Sequence, residues 1–154
     1  MRPYLSLLLE FIWWLLTAIL VIAVLSPIHK AMYVWPYEIW NIAFIVALVT
    51  FTRYIFLLRH TFLASRQVVK IVFLLLMFPA IAVLITGLHS FLQYIENYTW
   101  EPLTGHLPPA DKRSVETYIW NEMLFFGSGS ILAAPVLAGK LFWSVWQTRN
   151  RART

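Results

Sequence analysis

The chain has 154 residues, 60% of them hydrophobic and only 12% charged, with a formal net charge of +5 and no cysteine. Soluble domains carry about 25% charged residues, so this composition excludes an ordinary water-soluble fold. The missing cysteines exclude disulfides, thiolate metal sites, thiol redox chemistry and a Cys nucleophile.

Four apolar runs fill the chain, at about 5–25, 39–58, 71–94 and 118–146. A hydrocarbon core of about 30 Å takes about 20 helical residues, and each run meets that length. The expected fold is all-α: one polytopic membrane domain over residues 1–154, a largely left-handed four-transmembrane-helix bundle. A chain this short has no room for a separate soluble catalytic module. Its basic residues lie beside apolar runs, so anionic lipid headgroups, not nucleic acid, are the expected counter-charge.

The first run follows Arg2, a minimal basic n-region. Glu10 interrupts it, the apolar part is long, and Ala23-Val24-Leu25 is a poor small-x-small cleavage site, so the helix is expected to be retained. Glu10 itself needs a reason. Phe11 to Leu25 is only about 22 Å of helix, so the bilayer must draw in residues before Glu10. A short carboxylate at that depth needs a partner cation or a proton. Arg53 and Lys140 end up at the same level, and Glu10–Arg53 is the first choice of pair. Pro27 is expected to end the first helix and leave His29 in a loop.

The second run contains Arg53, about 9 Å inside Arg59 by helical rise. Like Lys140, it is within snorkelling reach of the interface. His60 to Val69 forms a tight turn, which makes the second and third spans expected antiparallel neighbours. On the third span Thr86, His89, Gln93 and Glu96 are spaced 3, 4 and 3, which places them on one face. Asn121 and Glu122 lie at the matching depth of the fourth span, and His89–Glu122 is the natural hydrogen-bonded pair. That polar stripe reads as a wet mouth ahead of an ion vestibule. In the long connection that follows, Pro102, Gly105, Pro108 and Pro109 keep the first half irregular. Asp111 or Ser114 then caps a helix entering the fourth span.

The fourth span carries Gly127-Ser128-Gly129-Ser130, then Ala133-Ala134-Pro135 and Ala138-Gly139. Ser130, Ala134 and Ala138 recur every fourth residue, a small-xxx-small face that lets helices approach closely. Pro135 frees the Ile131 carbonyl and is expected to kink the helix. An unwound ion-lining segment is the other reading of the Gly-Ser stretch. Tight packing, within the bundle or between subunits, is the commoner use of such a face.

Orientation follows the basic residues. Arg2, Arg53, Arg59, Arg66, Lys70, Lys140, Arg149, Arg151 and Arg153 fall on one side, and Lys30, Lys112 and Arg113 on the other. Both termini are therefore expected inside, in a bacterial inner (plasma) membrane. Aromatics near the outer ends, among them Tyr33, Trp35, Tyr37, Trp40, Tyr94, Tyr98, Trp100, Tyr118 and Trp120, read as a headgroup belt.

No enzyme constellation is present. GSGS lacks the nucleophile elbow, no phosphate loop or zinc helix occurs, and bis-His haem fails if His29 sits in a loop. No cofactor, metal site or catalytic residue is expected. What remains is a non-enzymatic structural or accessory subunit, associating with itself or with other membrane subunits through the fourth span. The alternative is a small oligomeric channel or ion or proton carrier using Glu10, Arg53, His89 and Glu122.

Overall fold

The computed structural model of the chain describes residues 3–58 and 66–151, with side chains for 7–58 and 66–150. Arg2, Arg59 and Arg153 lie outside the described residues, and Arg151 is described in its backbone alone. All regular structure among the described residues is helical: α1 (Pro3–Ala31), α2 (Glu38–Leu57), α3 (Gln67–Tyr98), α4 (Glu101–Thr104) and α5 (Pro109–Arg151). Four of them, α1, α2, α3 and α5, are long and apolar enough to cross a membrane.

The helices outrun their apolar cores. α1 passes through Pro27, which corrects the expectation that His29 lies in a loop. The missing Pro27 N–H frees one carbonyl, but the ladder resumes, with Met32 N donating to the Ile28 carbonyl at 2.8 Å. Leu25, Ile28 and Met32, buried against the rest of the bundle, hold this last turn in place. His29 is thus helical, with Nε2 3.3 Å from Glu38 Oε1. α5 likewise continues through Pro135 without a break in the helix.

α5 is the centre of the bundle. α2 and α3 pack along it, α1 lies against α2 and α5, and α2 meets α3 over only a short stretch. Most of the turn expected at His60 to Val69 lies outside the described residues; the second and third spans are not principal partners, because α5 takes that place. Its small residues allow this. Ser130 and Ala134 are fully buried. A Cβ on Gly127 would meet Leu88 of α3 at 2.9 Å, and one on Gly129 would meet Leu48 of α2 at 3.2 Å. Of the two uses expected for the small face, within the bundle or between subunits, Ser130 and Ala134 serve the first.

Where α2 and α3 do touch, a glycine makes room. A Cβ on Gly87 would overlap the Trp40 ring, which stacks on Phe44 with centroids 6.1 Å apart. Nearby, Phe91 is fully buried, with Trp35, Tyr37, Trp100 and Trp120 around it at 5.5–6.3 Å between centroids. Part of the expected headgroup belt is therefore core, whereas Tyr33 and Tyr98 do face outward. Amphipathic rings near a helix end satisfy either environment, and the burial of Phe91 decides which ones turn inward.

The long connection is ordered. Leu103 and Thr104 of α4 are buried, and the Thr104 hydroxyl lies 2.5 Å from Glu116 Oε1 and 3.0 Å from the Trp100 carbonyl. Lys112 pairs with Glu101, and His106 Nε2 sits 3.0 Å from the Ala31 carbonyl. The connection starts from Thr99, with φ 58° and ψ −165°, the only positive-φ non-glycine among the described residues. A β-branched residue held there is strained by about 1–3 kcal/mol. Thr99→Gly is expected to raise the thermal midpoint of the purified protein, offsetting about 1 kcal/mol of that strain against the added freedom of the unfolded chain. An unchanged or lower midpoint counts against strain at this position.

Candidate functional site

Buried polar side chains are the positions that require a reason, because an unpaired polar group away from water costs several kcal/mol in an apolar medium. Among the described residues these are Thr17, Asn41, Arg53, Lys70, Thr104, Glu122 and Ser130. Each has a partner within the chain, and most partners lie on another helix.

At the end of the bundle where α2 closes, Arg53 Nη2 is 2.5 Å from Glu10 Oε1, with side-chain exposures of 6% and 22%. The guanidinium also lies 5.8 Å from the Trp13 ring centroid and 5.4 Å from that of Tyr54. These contacts suit its flat, weakly hydrated face. α1 is thereby tied to α2. At the same end Lys70 of α3 is buried and donates through Nζ to Ser144 Oγ of α5 at 3.0 Å. In the sequence Lys70 counts only among the basic residues that set orientation, and no spacing signal connects it with Ser144. Lys140 is exposed, and its Nζ donates to the Ile55 carbonyl of α2. An ammonium there is satisfied by backbone as well as by its surroundings.

Toward the opposite end, Asn41 Nδ2 donates to Glu122 Oε1 at 2.5 Å, joining α2 to α5. Asn41 is fully buried and Glu122 only 7% exposed. Asn41 Oδ1 and Glu122 Oε2 have no hydrogen-bond partner. Asn41 is the second residue that sequence reading missed: a lone Asn in an apolar run gives no sign of which helix it faces. Tyr118 OH donates to the Val24 carbonyl at 2.9 Å, linking α5 to α1, and Tyr37 OH donates to the Ser90 carbonyl at 3.1 Å.

The expected His89–Glu122 pair is not made. Thr86, His89, Gln93 and Glu96 are all exposed, because α3 turns the face carrying Leu84, Gly87 and Phe91 into the bundle. The stripe shares one face as its spacing requires, but that face points outward. Asn121 is exposed as well; it lines a hollow of about 490 Å³ with Val24, Tyr118, Glu122, Phe125 and Phe126. In the Gly-Ser stretch, Ser128 Oγ donates to the Leu124 carbonyl at 2.5 Å and Ser130 Oγ to that of Gly127 at 2.8 Å. The stretch is continuous helix, which corrects the unwound reading: its hydroxyls return to the helix's own backbone, as Ser does in apolar helices. Ala138 is half-buried, and Gly139 faces open space.

Comparison with known proteins gives no match: no family model, no curated protein and no solved structure resembles the chain.

Proposed function

We propose that the chain is a small integral membrane protein, with both termini on the cytoplasmic face of a bacterial inner membrane, acting as a non-enzymatic structural or accessory subunit. The observation carrying this reading is the use made of the interior polar groups. Glu10–Arg53, Asn41–Glu122, Lys70–Ser144 and Tyr118 with the Val24 carbonyl each bridge two different helices. In lipid, where apolar surface alone drives little helix association, such bonds and close small-residue packing hold a bundle together. A conducting path instead needs polar groups left free along a continuous opening.

An outward apolar surface supports the bilayer placement. On α1, Leu8, Phe11, Trp14, Leu15, Ile19 and Ile22 are all exposed. With Ser130 and Ala134 occupied inside the chain, association through α5 must use its outer face, where Leu132, Val136, Phe142 and Trp143 are exposed. Gly139 on α5 meets nothing within 4 Å and gives a partner helix room to approach. The second reading, an ion or proton carrier, draws support from the unpartnered oxygens of Asn41 and Glu122.

The test is assembly size beside ion flux. In mild detergent and in liposomes, wild type is expected to form a defined assembly and conduct nothing above empty vesicles. Gly139→Leu is expected to reduce that assembly while each chain stays folded. Flux from wild type, abolished by Glu122→Gln at unchanged assembly size, overturns the accessory reading in favour of the carrier.

A further inference from the structure

Glu122 is a buried carboxylate with one amide partner, and it forms no ion pair with any described residue. A buried carboxylate left so nearly alone takes either a proton or a counter-charge from outside the chain. The hollow it lines lies between α1 and α5 and is walled by Tyr118, Phe125 and Phe126. Aromatic faces beside a carboxylate attract cations, organic ammonium groups above all.

Two of the rings around this hollow serve twice. Phe125 and Phe126 also wall a second one of about 480 Å³, bounded by Leu20 of α1 and Leu48 and Val49 of α2. The two share those rings, so a hollow lined by Asn121 and Glu122 neighbours an almost wholly apolar one. Arg53 borders the apolar hollow, but it is already paired with Glu10. Along α2 it stands about 18 Å from Asn41, the partner of Glu122, by helical rise. A cation at Glu122 is thus distant from that positive charge.

We propose that this double groove binds a lipophilic organic cation, its ammonium beside Glu122 and its hydrocarbon chain laid past Phe125 and Phe126 into the apolar hollow. A zwitterionic lipid fits less well, because among the described residues no cationic side chain lines the hollow beside Glu122 to receive its phosphate. The proposal rests on the bilayer placement above and not on assembly.

The probe is dodecyltrimethylammonium, titrated into the full chain in neutral-lipid nanodiscs, with empty nanodiscs subtracted. Wild type is expected to show a saturable component near one per chain. Glu122→Gln, which keeps an acceptor for Asn41 and removes the charge, is expected to weaken it tenfold or more. Val24→Trp, which leaves Glu122 in place and fills the hollow, is expected to do the same. Glu96→Gln, an exposed acid on α3, is expected to leave it unchanged.

Binding in Glu122→Gln within twofold of wild type, or equal competition by dodecanol, overturns the proposal. Equal competition by dodecylphosphocholine overturns it in favour of a zwitterionic lipid. Should Glu122→Gln fail to give monodisperse protein, Val24→Trp decides: retained binding overturns the proposal, and lost binding in a folded variant supports it. Assembly size is measured on the same samples. Saturable binding by a chain that does not assemble overturns the accessory reading and leaves this site standing.

Discussion

Glu10→Ala is expected to lower the yield of folded protein and to destabilise what folds by about 3 kcal/mol, the low end of the range for a broken buried pair. The low end applies because Glu10 keeps 22% of its side-chain exposure, while Arg53 keeps only 6%. Removing Glu10 strands the more buried partner. Its aromatic neighbours Trp13 and Tyr54 hold the guanidinium in place but supply no acceptor of comparable strength, and Arg53 Nε is already unpartnered. Adding Arg53→Leu is expected to recover part of the loss, since removing both members of a buried pair is milder than removing one. Thermal midpoints of the four species in one detergent close the cycle. A double variant no better than the sum of the two singles means that the pair contributes no coupling.

The second large effect is steric. Gly87→Ala is expected to destabilise the fold by about 2 kcal/mol and Gly87→Val by more, because the added carbon would overlap the Trp40 ring and a close-packed aromatic has little room to move. The other glycines of the bundle form an internal scale. A methyl on Gly127 meets the far end of the flexible Leu88 side chain at 2.9 Å, and one on Gly129 meets that of Leu48 at 3.2 Å. Gly127→Ala is expected to cost less than Gly87→Ala, and Gly129→Ala less again. Gly139→Ala has open space around its Cβ and is expected to be neutral, or to gain about 0.5–1 kcal/mol from helix propensity. Thermal midpoints of the four alanine variants rank them directly. A tolerated Gly87→Ala would show that Trp40 can leave this contact at little expense.

That ranking could not be drawn from the sequence. The Gly-Ser stretch of α5 attracted notice because several small residues cluster there, yet the tightest contact belongs to a lone glycine on α3. A single Gly in an apolar helix gives no sign of what it faces, and Trp40 lies far from it along the chain.

Helix count and approximate extent were legible from the residues alone. A run of apolar side chains near the length of a bilayer crossing can satisfy its backbone only as a helix, and this depends on no neighbour. The Glu10–Arg53 pair was legible for a similar reason: helical rise turns residue number into height along the bundle, and opposite charges at one height are drawn together. Rotation about each helix axis was not legible. Whether Thr86, His89, Gln93 and Glu96 turn inward depends on which face of α3 meets α5, and Gly87 and Phe91 won that contest through close packing. Rotations of this kind brought Asn41 rather than His89 to Glu122, sent Lys70 to Ser144, and decided that Ser130 and Ala134 pack within the chain. Length, composition and height along the bundle were set by local chemistry. Which faces meet was decided only by the tertiary structure, because it depends on side-chain volumes contributed by several helices at once.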